Sequence, residues 1–491
     1  MDRRRRLAIV AGVVVAVAVL VVAVVLVWPD GDRDDRPLAG SGRPDSAPTT
    51  AADAVEPSPG AAGIGDPYYP AAGNGGYDVT HYDLALTWDA EARHMTGEAA
   101  VTATATQALS SFVLDLAGME VSAVSVDGEE AAFAREGDRD LRITPAGPLA
   151  AGGTFTTVVR YAGPPTTVPG DEFFDPGWFG DDGEVYALFE PDGAATLFPS
   201  NDHPSDKASY EFRVTAPDDL EVVANGRLTG TIPGDGVRTW VYDAPDPMAS
   251  YLVQVAIADM EFAEATGPGG LPIRHAFDTD VAGEFDQVMG RTAQMIESFA
   301  EWFGPYPLVS YGALVVDESL GLALETQTLS IFDSTAAGSE EIVAHELAHQ
   351  WFGNAVSPAT WADIWLNEGF ATYAQWLWSS RDEPAALDGT VRRAAASGSL
   401  DLPPYDPGPE HLFAESVYTR GALTLHVLRR TIGDDAFFAV LRTWGERFGG
   451  AVATTADLEA LAEELSGAEL TPLFDAWLRA EALPAYDDWV P

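Results

Sequence analysis

The feature of this sequence that most limits its fold is a change in the spacing of apolar residues near residue 263. Between about 71 and 262, apolar and polar residues alternate as in strands that bury one face, and turn pairs such as Asp127-Gly128 separate the runs. The candidate strands cover residues 82–88, 155–161, 210–215 and 251–257. This part of the chain is predicted to form an all-β, sandwich-like domain.

Beyond that point the apolar residues recur at helical intervals, first over residues 285–302. Two short strands are expected at 313–316 and 328–332, and helical patterns dominate from there to the C-terminus. The chain is therefore predicted to be an α+β multidomain protein. Its β-domain would cover 71–262, and a mainly helical domain would cover 263–491.

Acidic residues greatly outnumber basic ones. The 491 residues include 76 Asp plus Glu against 27 Lys plus Arg, for a formal net charge of -49. Such a surface repels the phosphates of nucleic acids, so no nucleic-acid partner is expected. Cysteine is absent, which excludes a thiol nucleophile, a disulfide framework and a cysteine-ligated metal.

The N-terminus has the composition of a membrane anchor. Residues 3–6 are all arginine, and the uncharged apolar run over 7–28 is 22 residues long, enough for a helix to cross a bilayer. We expect a cytoplasmic basic tail at 1–6, an uncleaved transmembrane signal anchor at 7–28 and a flexible Pro- and Gly-rich linker at 29–70. The rest of the chain would lie outside a bacterial cell membrane. A long cleaved signal, with secretion of the chain, is the alternative.

Two histidines carry the most specific chemical signal, in the run His345-Glu346-Leu347-Ala348-His349. Residues four apart share one face of a helix, so both imidazoles can meet at one tetrahedral Zn²⁺ with bonds of about 2.0–2.1 Å. Glu346 lies beside them, within reach of a water at the metal. The chain has only eight histidines, so two surface histidines on an amphipathic helix are the weaker interpretation.

Glu368 is the candidate third ligand. It lies 19 residues after His349, within the apolar run Asn367-Glu368-Gly369-Phe370-Ala371. A carboxylate in such surroundings is costly unless it is paired or bound to a metal. With both histidines upstream, we assign Glu368 to one zinc ion per chain. Three protein ligands leave a fourth position for water, which is typical of a catalytic zinc site.

These residues resemble the aminopeptidase N family of gluzincin zinc metallopeptidases. The family combines His-Glu-x-x-His, eighteen further residues and a Glu within Asn-Glu-Gly-Phe-Ala, and the similarity continues through Gln350-Trp351-Phe352-Gly353-Asn354. It covers the chain from about residue 71 to the end. The resemblance implies a β-domain followed by a thermolysin-like catalytic domain, and the hydrolysis of N-terminal residues from peptides.

An aminopeptidase has to bind a free ammonium group, and a cation in a cleft calls for carboxylates. The family's Gly-x-Met-Glu-Asn strand is similar to Leu322-Ala323-Leu324-Glu325-Thr326, in which Leu322 replaces the glycine and Thr326 the asparagine. The resemblance implies that Glu325 binds the amine and that this strand pairs with the peptide backbone. Taken alone, Glu325 is an ordinary acid on an edge strand.

Two further residues are assigned from the same resemblance. Glu190 precedes Asp202 by the gap that separates the family's second amine-binding acid from its Asp-x-Pro segment; otherwise it is a turn residue before Pro191. Tyr418 lies in Tyr418-Thr419-Arg420-Gly421, similar to the family's Tyr-x-Lys/Arg-Gly segment, and is implied to stabilise an oxyanion. A tyrosine on a helix is otherwise more often a core residue.

Together these residues predict a zinc-dependent aminopeptidase acting on peptides with a free N-terminus. The ammonium would lie between Glu325 and Glu190, Glu346 would move the proton of the attacking water, and Tyr418 would contact the oxyanion. Two alternatives stay open: an endopeptidase in which Glu325 and Glu190 are incidental, and an inactive, membrane-tethered binding module. The sequence does not determine the oligomeric state.

The length of the chain after the last zinc ligand sets one more expectation. About 120 residues follow Glu368, whereas many relatives carry a long helical C-terminal domain. We therefore expect a short form of the family with a more open cleft.

Overall fold

The structure is a computed structural model, and it describes residues 56–170, 175–181, 183–283, 285–318, 320–396, 400–486 and 489. The predicted tail at 1–6, the predicted anchor at 7–28 and most of the predicted linker lie outside these residues. Within the part of the chain that the structure describes, no helix has both the length and the apolar character needed to cross a bilayer.

Strands dominate the first half of the described chain. They are β1 (Ser58–Pro59), β2 (Tyr77–Asp89), β3 (His94–Ala105), β4 (Leu109–Asp115), β5 (Glu120–Val126), β6 (Glu129–Glu130), β7 (Ala132–Glu136), β8 (Asp140–Thr144), β9 (Thr154–Gly163), β10 (Gly177–Asp181), β11 (Glu184–Leu188), β12 (Lys207–Pro217), β13 (Glu221–Ala224), β14 (Arg227–Pro233), β15 (Val237–Ala249) and β16 (Val255–Ala258).

These strands form three sheets. The largest has the order β14-β15-β12-β2-β3-β9-β5-β6, and the two smaller ones are β1-β4-β8-β7 and β10-β11-β16-β13. Alternate residues of β2 are buried, as the sequence pattern predicted. Phe112 of β4 packs between Tyr77 of β2 and Phe155 of β9, with ring centroids 5.7 and 5.1 Å apart. Two sheets therefore face each other across one apolar core, which confirms the predicted sandwich-like domain.

The predicted linker extends too far, because residues 56–70 pack on the β-domain. β1 pairs with β4. Asp66 is only 3% exposed; it accepts hydrogen bonds from the Tyr68 and Tyr69 amides and lies 3.1 Å from His203 Nε2. The partners of this segment lie far along the chain, so its Pro- and Gly-rich composition alone did not reveal them. The folded chain begins before the predicted boundary at 71.

The strand predicted at 251–257 is also shorter than expected. Tyr251 lies in a 3₁₀ turn, Ser250–Leu252, and β16 begins only at Val255. The Tyr251 ring packs edge-on against Trp361, with centroids 5.1 Å apart. Tyr251 is therefore buried by contact with the following domain rather than by a place in a sheet.

The second half of the chain opens with a five-stranded sheet in the order β17-β18-β19-β21-β20, which leaves β20 at one edge. Its strands, and a short pair further on, are β17 (Met260–Thr266), β18 (Pro272–Asp278), β19 (Ala313–Val316), β20 (Ala323–Leu324), β21 (Ser330–Asp333), β22 (Ser357–Pro358) and β23 (Val452–Ala453). β19 and β21 correspond to the two short strands predicted from the sequence.

Helices make up most of the remainder. They are α1 (Asp286–Met289), α2 (Thr292–Phe303), α3 (Ser334–Ala337), α4 (Glu340–Ala348), α5 (Trp365–Ser379), α6 (Ala386–Ala395), α7 (Glu415–Ile432), α8 (Asp434–Phe448), α9 (Thr455–Ser466) and α10 (Thr471–Phe474). The helix expected over 285–302 is divided into α1 and α2, and the Thr292 hydroxyl donates to the Met289 carbonyl at the break. The order of a β-rich domain followed by a helical domain confirms the predicted fold class.

Candidate active site

Helix α4 and the residue that caps its C-terminus place two histidines, His345 and His349, on one face. Ser339 caps its N-terminus by accepting a hydrogen bond from the Ile342 amide at 3.3 Å. The rings of His345 and His349 lie 4.8 Å apart between centroids, and the residues are 9% and 1% exposed. His349 Nδ1 donates to the Phe352 carbonyl at 3.1 Å, which leaves its Nε2 available to a metal.

Glu368, in the first turn of α5, meets both histidines. Its Oε2 lies 3.2 Å from His345 Nε2 and 3.6 Å from His349 Nε2. A tetrahedral zinc with bonds of about 2.0–2.1 Å holds its ligand atoms about 3.3–3.4 Å apart. The three residues thus fit one Zn²⁺ and leave a fourth position open. Burial opposes the charge of Glu368, but the adjacent histidines outweigh it and lower the pKa of this carboxyl.

Tyr418 reaches this cluster because α5 and α7 cross at unusually short distance. Gly369, next to Glu368, faces Gly421, which follows Tyr418 by three residues. A Cβ built on Gly369 would lie 2.9 Å from the Gly421 Cα, so the crossing requires glycine at both positions. The Tyr418 ring then lies nearly parallel to the His345 ring, with centroids 6.0 Å apart.

Burial governs the protonation of the groups beside the cluster. It raises the pKa of Glu346, which is 6% exposed, well above the usual value for a glutamate. Burial, together with the surrounding carboxylates, also raises the pKa of Tyr418 well above its usual range. The phenol therefore keeps its proton and can donate a hydrogen bond, and Glu346 is suited to both taking up and releasing a proton.

Glu325 and Glu190 join the cluster from two different domains. Glu325 directly follows β20, and its Oε1 lies 4.0 Å from His349 Nδ1, whereas Glu190 comes from the loop after β11. Carboxylate oxygens of Glu190, Glu325 and Glu368 all lie within 4.8 Å of one another, and each residue is 3% exposed. Three buried carboxylates at this distance repel one another unless cations lie among them.

Gln350 and Asn354, which follow helix α4, hold the backbone of Glu325 in place. Gln350 and Asn354 donate to the Glu325 carbonyl at 3.1 and 2.6 Å. Gln350 also accepts from the Thr328 amide at 2.8 Å, which supports Thr328 at a φ of 65°, an unusual conformation for a β-branched residue. Both residues belong to the run that resembles the family, but nothing in that run indicated this role.

The β-domain also makes hydrogen bonds to the segment that follows Glu325. Asn225 donates to the Gln327 carbonyl at 2.6 Å, and the Gly226 amide donates to Thr328 Oγ1 at 2.7 Å. Elsewhere in the β-domain, Arg139 forms ion pairs at 2.7 Å with Asp192 and with Asp202, on either side of the turn that follows Glu190. Arg139 lies outside every motif, so no sequence signal could have identified it.

One cavity of about 570 Å³ contains all of these functional groups. The seven residues predicted from the sequence line it together: His345, Glu346, His349, Glu368, Glu325, Glu190 and Tyr418. Gln375 and Phe413 line it as well and were not anticipated. The arrangement places a metal site, a proton-carrying carboxyl, a hydroxyl donor and an anionic pocket within one site.

Comparison with known proteins agrees with this arrangement. Residues 79–252 match the Peptidase M1 N-terminal domain and residues 288–477 match the Peptidase family M1 domain. The M1 zinc metallopeptidase of Deinococcus radiodurans has a similar structure, with a TM-score of 0.81 and 34% identity over 86% of this chain and 98% of that one. The chain belongs to peptidase family M1. The resemblance inferred from the zinc motif is thereby confirmed.

Two curated aminopeptidases are also similar to this chain. Aminopeptidase M1-A of Oryza sativa subsp. japonica is 27% identical over 322 residues, which is 60% of this chain and 37% of the relative. Human endoplasmic reticulum aminopeptidase 1 is 27% identical over 398 residues, 73% of this chain and 42% of the relative. The chain thus spans less than half the length of these curated relatives. A mutant of the Deinococcus radiodurans protein has a crystal structure with a Tyr-Ser-Ala substrate.

Proposed function

We propose that this chain is a zinc-dependent aminopeptidase that removes the N-terminal residue of peptides. The observation that carries the proposal is the position of Glu190 and Glu325, two buried carboxylates that adjoin the His345-His349-Glu368 cluster. A peptide's ammonium nitrogen lies only about 2.5 Å from its first carbonyl carbon. An ammonium bound by these two carboxylates therefore brings the first peptide bond beside the histidines.

An internal peptide bond would fit this site poorly. Its neighbouring amide carries no positive charge, so it would gain no electrostatic attraction from the carboxylates of Glu190 and Glu325. An ammonium group at the same place neutralises part of their charge and donates hydrogen bonds to the carboxylates through its three protons. The pocket thus favours a free N-terminus over an internal segment.

The other residues of the site have separate roles in the hydrolysis of the peptide bond. His345, His349 and Glu368 would hold a zinc ion, and that ion would supply Lewis-acid chemistry to a bound carbonyl and to water. Glu346 accepts the proton of the attacking water and passes it to the leaving amine. Tyr418 donates a hydrogen bond to the oxygen that becomes negative, and Glu325 with Glu190 keeps the carbonyl in position.

The test compares a fluorogenic amino-acid amide with its N-acetylated form. We expect the free amine to be cleaved about 10³-fold faster, because acetylation removes the positive charge that attracts the substrate to Glu190 and Glu325. A chelator should abolish the activity and added zinc should restore it. Equal rates for the two substrates would indicate an endopeptidase. Cleavage of neither by the zinc-loaded protein would indicate a binding module.

We propose further that residues 7–28 anchor the chain in a bacterial cell membrane, with the catalytic domain outside. The support is the arginine cluster at 3–6 followed by an uncharged run long enough to cross a bilayer. The full chain expressed in bacteria should remain with the membranes after alkaline carbonate extraction, and a variant without residues 1–28 should not. Release of a chain shortened at its N-terminus into the medium would instead support a cleaved signal.

A further inference from the structure

The basic residue at the start of β12 is unusual for this chain. Lys207 is the only lysine in the sequence, and every other residue among the 27 Lys plus Arg is arginine. Its side chain is half-buried, and the protein around the ammonium excludes water and lowers the pKa of Lys207 to about 7. An ammonium deprived of water is costly unless it makes hydrogen bonds, so the contacts of Lys207 deserve a physical account.

Those contacts are with backbone carbonyls of the helical domain. Lys207 Nζ donates to the Asn354 carbonyl at 2.7 Å and to the Ala355 carbonyl at 3.0 Å. It also donates, over a longer distance, to the Ala451 carbonyl at 3.5 Å. An ammonium has three protons on one nitrogen and can serve three acceptors that converge on a point, whereas the planar guanidinium of arginine spreads its donors over a fork. The geometry therefore accounts for lysine at this position.

One of these acceptors belongs to a residue that contacts the amine site. The Asn354 side chain donates to the Glu325 carbonyl at 2.6 Å, and the Asn354 amide donates to the His349 carbonyl at 3.0 Å. His349 Nδ1 in turn donates to the Phe352 carbonyl. Asn354 thus joins Glu325 to one of the zinc-cluster histidines, and Lys207 holds Asn354 from the β-domain.

The segment that carries Glu190 ends at Lys207. Residues 189–206 connect β11 to β12, and Lys207 is the first residue of β12. This strand is fixed in the β-domain, because it pairs with β15 on one side and with β2 on the other. Lys207 therefore ties the connection that bears Glu190 to the residue that supports Glu325. Since a bound ammonium has to reach both acids, the distance between them determines how well it is held.

We propose that Lys207 is a positioning residue for substrate binding, which keeps Glu325 at a fixed distance from Glu190. Lys207 is not among the described residues that line the cavity, so it acts through Asn354 rather than by touching the substrate. The inference rests on the proposed aminopeptidase function, because the spacing of the two acids matters only if they bind an ammonium together.

The test replaces Lys207 by methionine, which keeps an unbranched side chain without the ammonium. Folding should survive, because the Ala355 and Ala451 carbonyls each keep a backbone amide donor. For a fluorogenic amino-acid amide, we expect KM to rise about 10-fold and kcat to change by less than about 3-fold. The preference for this substrate over its N-acetylated form should fall by about 10-fold as well. A role in stability alone would lower the amount of folded, zinc-loaded protein and leave KM unchanged.

Asn354→Ala tests the link between Lys207 and Glu325. It leaves the ammonium in place but removes a donor to the Glu325 carbonyl, so KM should rise to a similar extent. Because both changes break one series of contacts, the double variant should have about the KM of either single variant rather than the product of the two effects. Arg213→Met is the matched control: it removes a positive charge from the same strand, where the Arg213 side chain is 37% exposed, and should keep the wild-type KM.

The outcomes separate this inference from the function on which it rests. An unchanged KM in Lys207→Met overturns the positioning role, and the aminopeptidase function stands. If Lys207→Met does not fold, an unchanged KM in Asn354→Ala overturns the role instead. Multiplied effects in the double variant contradict an action through Asn354. If the zinc-loaded wild-type protein cleaves no free-amine amide, the proposed function is wrong and the positioning role falls with it.

Discussion

Glu346→Gln should keep its zinc and lose nearly all turnover. The amide has the shape of the carboxylate but cannot accept a proton from water, so we expect kcat to fall by about 10³- to 10⁴-fold. Zinc should stay bound because His345, His349 and Glu368 are untouched. KM should change little, since the carboxylates proposed to hold the ammonium are still present. Steady-state kinetics on a free-amine amide, with zinc measured by atomic absorption, checks both parts.

The matched control for this variant is Glu341→Gln on the same helix. Glu341 is exposed, and its side chain accepts a hydrogen bond from Ser379 Oγ at 3.1 Å. It lies outside the lining of the cavity, so the control should have wild-type kcat. If Glu346→Gln with one zinc per chain remained within about 10-fold of the wild-type kcat, another group would have to move the proton.

Gly421→Ala should destabilise the protein and weaken catalysis together. The new Cβ would lie 2.9 Å from the Gly369 Cα, and backbone atoms cannot move aside as a flexible side chain can. Helices α5 and α7 would have to separate, at a cost of about 1–3 kcal/mol or more. Since Tyr418 lies on α7 and Glu368 on α5, the separation should also draw the phenol away from the zinc cluster and lower kcat. Urea unfolding with saturating zinc and steady-state kinetics measure the two effects.

Gly445→Ala provides the comparison for the glycine variant. It lies in α8, where the nearest atom to an added Cβ is the Phe303 carbonyl oxygen at 3.9 Å. Alanine is the better helix former by about 1 kcal/mol, so this change should be neutral or stabilising and should leave kcat unchanged. Equal stability and activity for Gly421→Ala and Gly445→Ala would show that the crossing of α5 and α7 can accommodate an added methyl group.

The sequence identified the zinc-binding histidines more directly than it identified the residues proposed to bind the substrate. His345 and His349 were identified from their spacing, because the period of a helix places residues four apart on one face wherever the helix lies. Glu325, Glu190 and Tyr418 were assigned only through resemblance to a family, since an isolated acid or tyrosine has no distinguishing pattern. The structure brings these three beside the histidines, although Glu190 belongs to a different domain.

Several supporting contacts could not be predicted, because no sequence pattern indicated a role for the residues that make them. Gln350 and Asn354 support the Glu325 carbonyl, and Arg139 joins Asp192 to Asp202, through contacts between distant parts of the chain. The packing of residues 56–70 on the β-domain was missed for the same reason, since composition there indicated a linker. Each of these interactions joins residues that are far apart in the sequence, so it depends on the tertiary fold.

By itself, the sequence determined the order of a β-rich domain and a helical domain, the zinc-ligand pair on α4 and the absence of thiol chemistry. These follow from periodicity and composition, which a few neighbouring residues express regardless of what surrounds them. Only the tertiary structure decided how carboxylates from two domains meet at one metal site and which glycines let α5 approach α7. Those features arise from packing between segments that are distant in the sequence. Local patterns of residue type do not show which of these segments will be in contact.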